Sequence, residues 1–242
     1  MPATYSGLIN GEILHANTLE FAGLAFRDVV TVPLFAGRTL SFTDCHATAY
    51  GGTVIGRVDV DVDTGLYHCH CEVANIDLGN ILREFGGNNS NVGGVVSGWI
   101  DITIPAGKSD QMVGRGEVNI ERGSLVQLPL LANLLIGDPS SHKGQDSAMA
   151  RFEFHDSQIQ LMVARLNSPA ARIAIKGSIG FDGDLRLYLI PKFKFDLIDQ
   201  FPGLGPIVAP VLSSVTSRVA RALVRGQVTK PVMVINPFMK DD

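Results

Sequence analysis

Residues with metal-ligand chemistry are densest in one short segment, Tyr67-His68-Cys69-His70-Cys71. Thiolates and imidazoles at close spacing can bind zinc or copper. In a strand, however, the two cysteines face one side of the sheet and the two histidines face the other. A tetrahedral site would need further ligands from a neighbouring strand, and Cys45 and His46 are the candidates. The pattern favours two packed thiols over a metal site, because free cysteine packs as a small hydrophobe.

Other patterns that could do chemistry are weaker. Asp59, Asp61 and Asp63 place three carboxylates on one strand face, without the loop that wraps a calcium ion. The Gly114-Arg115-Gly116 segment lacks the third glycine and the βαβ setting of a dinucleotide site. The chain has no Gly-x-Ser-x-Gly nucleophile motif. We therefore expect no catalytic residues, no metal and no cofactor, and we do not expect an enzyme.

The composition describes an apolar chain with a small negative charge. Its 242 residues carry a formal net charge of −4, and the densest basic stretch is Arg218, Arg221 and Arg225. This balance argues against nucleic-acid binding as the main function. Apolar residues reach 45 % and the mean hydropathy is +0.20. No unbroken apolar run is long enough to span a bilayer, so the excess apolar content must lie on a folded surface.

Alternation of apolar and polar residues dominates the chain and predicts strands. The clearest cases are 58–63, 100–104, 118–121, 185–189 and 193–197, separated by glycine-rich turns. Such alternation is typical of antiparallel strands with one solvated face. The expected fold is mainly β: an extended antiparallel meander of roughly a dozen strands, curved into an apolar groove, with two or three covering helices. We expect one domain over residues 1–242.

Three segments have helical rather than alternating spacing. They are 76–85, with Asp77 as a cap and Gly86 as a stop; 128–135; and about 206–224, which has a Val/Leu stripe and a basic end. The last could lie on an anionic membrane, but its pattern favours docking on the sheet. The polar segment 137–150 is expected to be a long loop.

The apolar face of the sheet is the candidate functional surface. Three helical segments are too few to cover the apolar face of so many strands, so part of this face would be free to hold acyl chains. The residues expected to line it are Val58, Val60, Val62, Ile100, Ile102, Ile104, Ile173, Ile175, Leu185, Leu187, Leu189, Phe193 and Phe195.

The order of several motifs resembles the C-terminal region of AsmA-like proteins, the bacterial cell-envelope family that includes TamB-like members. The strongest stretch is GRGEVNIERGSLVQLPLLANLLIG over residues 114–137. Similar elements follow or precede it at 49–58 (AYGGTVIGRV), 152–159 (FEFHDSQI), 175–183 (IKGSIGFDG), 224–231 (VRGQVTKP) and 236–238 (NPF). The resemblance covers most of the chain and is weakest over the first 35 residues.

The resemblance implies a lipid-binding or lipid-conducting β-groove module involved in phospholipid transport and outer-membrane biogenesis. It implies phospholipid or another acyl lipid and envelope proteins as partners, no nucleic acid, and no catalytic residues. It also implies a location in the cell envelope or periplasm, anchored in the inner membrane through an N-terminal segment absent from this chain, which would be the C-terminal part of a longer protein. The alternative is a non-enzymatic structural or assembly module that mediates protein contacts in the envelope.

Overall fold

A computed structural model of the chain describes residues 12–21, 24–84, 92–125, 145–169, 171–193, 221–228 and 230–236. These residues form thirteen β-strands, one α-helix and a short 3-10 helix at Ser109–Gln111. The strands are β1 Leu14–Phe21, β2 Leu24–Ala36, β3 Thr39–Ala49, β4 Gly52–Asp61, β5 Leu66–Asp77, β6 Val95–Pro105, β7 Val113–Gly123, β8 Asp146–His155, β9 Gln158–Asn167, β10 Ala171–Gly180, β11 Asp184–Phe193, β12 Arg221–Gln227 and β13 Lys230–Asn236.

All thirteen strands belong to one sheet, and each strand pairs with the next in the sequence. Every one of these pairings is antiparallel. Strands β1 and β13 are the edges of the described sheet. The predicted antiparallel meander is therefore confirmed, because alternating segments joined by short turns pair most easily with their sequence neighbours.

The two ends of the strands differ in how they are connected. At one end, which we call the hairpin end, short turns join β2 to β3, β4 to β5, β8 to β9 and β10 to β11. The opposite end, which we call the α1 end, carries the longer connections and the helix. One tight turn also lies there, at Tyr50 and Gly51 between β3 and β4, with φ of 49° and 83°. Two successive positive φ angles are those of the type I′ turn that suits a two-residue hairpin.

The helix α1, Leu78–Glu84, confirms the helical segment predicted at 76–85. Asp77 caps it as expected, since its Oδ1 accepts a hydrogen bond from the backbone N–H of Asn80 at 3.1 Å. The helix is tied to the sheet because the N–H of Leu78 donates to the carbonyl of Gly94 at 3.0 Å. Its Leu78, Ile81 and Leu82 side chains pack on the apolar side of the sheet.

Two other predicted segments differ from the structure where it describes them. Residues 221–224, the end of the helix expected at 206–224, form the start of β12, which pairs with β11 and β13. These four residues are mostly apolar, so their pattern fits both the helical and the strand period. Pairing with strands distant in the sequence makes them a strand. Residues 146–150 of the expected loop belong to β8. The helix predicted at 128–135, residues 206–220 and the loop residues 137–144 lie outside the described residues.

The core of the molecule lies at the α1 end of the sheet. One buried cluster is centred on Ala49, Val54, Ile76 and Val96. The second joins strands β9 to β12 and includes Val92, Leu125, Leu166, Ile173, Leu185, Leu189, Ala222 and Val224. Towards the hairpin end the same strands are more open, with Val62 50 %, Tyr67 42 % and Phe181 37 % exposed.

Candidate functional site

The register of the sheet lines up apolar side chains into continuous rows across ten strands. Residues directly opposite each other in antiparallel strands project to the same face. We call the face shared by the three central rows, from β3 to β12, the apolar face. These rows are Ala47, Val54, Val73, Gly98, Val118, Ala150, Ala164, Ile175, Leu189, Ala222; then Cys45, Gly56, Cys71, Ile100, Gly116, Phe152, Leu161, Gly177, Leu187, Val224; and, nearer the hairpin end, Phe42, Val58, Cys69, Ile102, Gly114, Phe154, Ile159, Ile179, Leu185, Gly226.

The predicted lining residues that the structure describes in strands meet on this face. Val58, Ile100, Ile102, Ile175, Leu185, Leu187 and Leu189 lie in the three rows. Val60 and Ile104 lie opposite Tyr67 one row further towards the hairpin end. Ile173 lies opposite Leu166 and Pro191 at the α1 end.

Of the remaining three predicted residues, one lies in a turn region, one is the last residue of β11 and one lies outside the described part of the chain. Val62 follows the end of β4 and its backbone N–H donates to the carbonyl of Arg38 at 2.9 Å in the turn region. The backbone of Phe193, the last residue of β11, is paired with that of Ala171. Phe195 lies outside the described residues.

Burial separates the predicted residues into two groups. Ile102, Ile173, Leu185 and Leu189 are between 1 % and 8 % exposed and belong to the packed core. Val58, Val60, Ile100, Ile104, Ile175 and Leu187 are only half-buried. The half-buried group keeps apolar surface in contact with solvent, which is the surface that an apolar ligand would cover.

Sequence reasoning missed several aromatic and aliphatic members of this face. Phe152 and Phe154 are half-buried in neighbouring rows, with ring centroids 5.4 Å apart in an edge-to-face arrangement. They alternate with Arg151 and Glu153, so the alternation of apolar and charged residues in the sequence could have identified them. Phe42, Ile159 and Ile179 join the same face through strand pairing.

Gly116 shows how tightly neighbouring groups meet on this face. A Cβ built on Gly116 would lie 2.8 Å from the Phe152 ring and 2.7 Å from the carbonyl oxygen of Trp99. The aromatic ring therefore covers the space that the glycine leaves open, as aromatic residues do beside strand glycines. Any larger residue at position 116 would have to displace the ring or separate the strands.

The cysteines lie on the apolar face as the alternation predicted. Cys69 and Cys71 share this face with Cys45, while His68 and His70 project to the other side. Burial raises the pKa of the Cys71 thiol to about 11 and also raises the pKa of Cys69. Protonated thiols in an apolar setting are poor metal ligands and poor nucleophiles. Within the described ranges, no group of three His, Cys, Asp or Glu side chains is arranged to hold a metal ion.

We call the opposite side of the sheet the polar face, and there the two histidines share one carboxylate. His68 Nε2 lies 3.0 Å from Asp101 Oδ1, and His70 Nδ1 lies 3.3 Å from Asp101 Oδ2. The hydrogen bond with His68, followed by that with His70, holds the pKa of Asp101 below its ordinary value. The group is solvent-exposed, and its geometry is that of cross-strand surface pairs rather than of an acid–base pair in a cleft.

A separate cleft of about 590 Å³ opens at the α1 end, between the start of β2, the Tyr50–Gly51 turn and α1. Its lining combines polar side chains such as Arg27, Thr48 and Asn80 with alanine, glycine and tyrosine residues. An acyl chain in this cleft would take water from the polar groups and offer them no hydrogen bonds in return. The apolar face is therefore the better candidate for an apolar ligand.

Comparison with known proteins identifies no relative of this chain. No protein-family profile matches it, and neither a curated protein nor a solved structure is significantly similar to it. In the described part of the chain, no helix is both long enough and apolar enough to cross a membrane.

Proposed function

We propose that this protein is a lipid-binding β-sheet module of the AsmA-like kind, which holds the acyl chains of a phospholipid or similar lipid on its apolar face. One observation carries the proposal: three unbroken rows of apolar, glycine and cysteine residues cross ten strands and stay half-exposed at many positions. Transport between membranes and a role in outer-membrane biogenesis are the functions that the motif resemblance adds to this proposal.

The size of the face supports a lipid rather than a small apolar ligand. Nine interstrand steps at about 4.8 Å give rows about 43 Å long. The hydrocarbon core of a bilayer is about 30 Å thick, so one row is longer than the acyl chains of both leaflets placed end to end. One acyl chain therefore needs only part of a row. Each of its CH₂ groups that is buried on this surface contributes about 0.8 kcal/mol.

The chemistry of the face agrees with this assignment. The three rows contain no charged side chain, and their only heteroatoms beyond the backbone are the cysteine sulfurs. An acyl chain has no hydrogen-bonding groups and needs none in return, whereas a polar substrate would need fixed donors or acceptors.

The alternative function, a structural module for protein contacts, is supported by the part of the apolar face that α1 covers. At the α1 end, Leu78, Ile81 and Leu82 cover core residues such as Ile76 and Val96. If all of the apolar face were covered in this way in solution, the sheet would serve as a scaffold for protein contacts and would hold no lipid.

Native mass spectrometry with lipid extraction on the chain purified without detergent tests the proposal. We expect bound phospholipid at a defined stoichiometry, and its loss in the double variant Val60→Glu with Ile104→Glu. Both residues are half-buried on the apolar face, so a charge there blocks acyl chains without opening the core. Ile102 is unsuitable for this test because it is only 4 % exposed.

The matched control is Ile55→Glu with Val113→Glu. These apolar residues lie on the polar face of β4 and β7 and are 48 % and 50 % exposed. The control should retain lipid and a β-type circular dichroism spectrum. A lipid-free mass for a folded wild-type monomer would contradict the proposal and favour the scaffold.

A further inference from the structure

The polar face carries an electrostatic division that no stretch of the sequence displays. On strands β4 to β7 it bears seven acidic and two basic side chains: Asp59, Asp61, Glu72, Asp77, Asp101, Glu117 and Glu121 against Arg57 and Arg115. On strands β9 to β12 it bears a set of exposed cations that we call the basic patch: Arg165, Arg172, Lys176, Arg186, Lys192 and Arg225. In the part of β9 to β12 that the structure describes, this side of the sheet also carries one carboxylate, Asp184. Its Oδ2 lies 3.5 Å from Arg186 Nε.

Some carboxylates in the first half of the polar face are compensated by basic cross-strand neighbours. Asp101 is opposite both His70 and Arg115. Glu117 is opposite Arg151, whose Nε lies 2.6 Å from its carboxylate. Opposite charges placed in this way stabilise a sheet.

The basic patch does the reverse and places like charges opposite each other. Arg172 is paired with Lys192, and Arg186 is paired with Arg225. Like charges directly opposite each other destabilise a sheet. In the described part of the chain, Arg172, Lys192 and Arg225 form no salt bridge. The positive charge is therefore concentrated at a cost in stability, and an external anionic partner would relieve the repulsion.

Exposed apolar side chains lie among and beside these cations. Tyr188 is 42 % exposed and opposite Lys176. On the edge strand β13, Val232 and Val234 are 60 % and 52 % exposed, and Val232 is opposite Arg225. Basic residues beside exposed aliphatic groups and a tyrosine are typical of surfaces that lie on a bilayer, where the cations meet headgroups and the apolar groups reach the acyl boundary.

We propose that the basic patch on β9 to β12 docks the protein on an anionic lipid bilayer surface. Exposed aliphatic residues favour this partner over nucleic acid, because contacts with a phosphate backbone need cations and polar groups but no exposed aliphatic side chains. The acidic half of the polar face does not cancel the attraction. It is centred about five strands, or about 24 Å, away, which is several times the Debye length of about 8 Å at physiological ionic strength.

This inference is independent of the proposed acyl-chain site, because it concerns the other side of the sheet. Val60→Glu with Ile104→Glu should leave docking intact, and neutralisation of the basic patch should leave copurified lipid intact. The failure of either proposal can thus be recognised without the other.

Vesicle co-sedimentation of the full chain tests the docking surface. The probes are phosphatidylcholine vesicles and phosphatidylcholine vesicles that contain phosphatidylglycerol. We expect binding to the anionic vesicles alone, weakened by added salt. Each cation near an anionic surface contributes roughly fivefold to binding, so Arg172→Gln with Arg225→Gln should bind about 25-fold more weakly.

The matched control is Lys108→Gln with Arg115→Gln, which removes two exposed cations outside the patch. It should bind anionic vesicles like the wild type. Because Arg172→Gln with Arg225→Gln removes like-charge repulsion, it should fold, and circular dichroism checks this directly.

Three results would overturn the proposal. Equal binding to neutral vesicles would show that charge is not the determinant. Equal weakening in the control and patch variants would show that the patch has no special role. Tighter binding to a DNA duplex, or a concentration-dependent dimer that the patch variant abolishes, would assign the surface to nucleic acid or to a second copy of the chain.

Discussion

Single carboxylates on the polar face link the stability of the sheet to pH. Hydrogen bonds from His68, Arg57 and Arg151 hold the pKa values of Asp101, Asp59 and Glu117, respectively, below their ordinary values. A folded-state pKa below the unfolded one means that the unfolded chain binds more protons as the pH falls. This contribution to stability is complete above the ordinary pKa of 3.8 for Asp101 and is lost as the pH falls through the lower folded value.

We therefore expect the melting temperature to fall on acidification between about pH 5 and pH 2, and the fall to be shallower in Asp101→Asn. Thermal denaturation across a pH series measures it. The control is Asp110→Asn, because the Asp110 side chain forms no hydrogen bond or ion pair within the described ranges. An equal slope in Asp101→Asn and the wild type would show that the His68–Asp101 bond is not formed in solution.

The thiols on the apolar face give a second prediction for single residues. Since burial raises the pKa of Cys69 and Cys71, both should be almost wholly protonated at neutral pH and react slowly with a maleimide. Mass spectrometry after timed labelling should show slow modification of these residues in native protein and fast modification in urea. Ile55→Cys, on the exposed side of β4, should add one rapidly labelled thiol to the native protein. Rapid labelling of native Cys71 would mean that this part of the face is open to water.

Among the elements of the sheet, every third strand from β4 to β10 carries a glycine at the same position of the apolar face. Gly56 on β4, Gly116 on β7 and Gly177 on β10 fall in the same row of the apolar face. The sequence shows this repeat as similar segments that begin at or near these glycines. At Gly177, which has φ of +122°, a Cβ would lie 1.9 Å from the carbonyl oxygen of Arg186 on the next strand. The repeated glycine therefore allows close approach of neighbouring backbones in the middle of the sheet.

Gly116→Ala tests this close packing. Its Cβ would press on the Phe152 ring and the Trp99 carbonyl, so the free energy of unfolding should fall by about 1–3 kcal/mol. Gly93→Ala is the matched control because a Cβ there meets nothing within 4 Å, and it should change stability by less than about 0.5 kcal/mol. Urea unfolding followed by circular dichroism measures both. Equal effects in the two variants would show that the strands around Gly116 can move apart freely.

The elements also show where sequence reasoning succeeds and where it stops. Alternation predicted the strands and the face on which Val58, Ile100 and Leu187 meet, because both depend on local periodicity. A cap and an apolar stripe predicted α1. The start of β12 was wrongly assigned to a helix, because the order of Ala222, Leu223 and Val224 fits both periods and only pairing with β11 and β13 distinguishes them.

At the scale of the whole molecule, the division of charge is a property of strand pairing. The densest basic stretch in the sequence includes Arg225, but Arg172 and Arg186 lie far from it in the chain, and each strand contributes only one or two cations. Their concentration depends on register, which places Arg172 opposite Lys192 and Arg186 opposite Arg225. Composition alone, with its net charge of −4, argued only against nucleic acid as the main partner.

This division predicts opposite stability changes for the same substitution on the two halves of the sheet. Arg225→Gln removes repulsion with Arg186 and should raise the free energy of unfolding, whereas Arg151→Gln removes the ion pair with Glu117 and should lower it. Both arginines are exposed, so the differences are small and depend on screening by salt. Paired urea titrations at low and high ionic strength should show the two variants on opposite sides of the wild type at low salt, converging at high salt. Destabilisation by Arg225→Gln would instead show that the packing of its aliphatic stem outweighs the repulsion, and that the basic patch is held without strain.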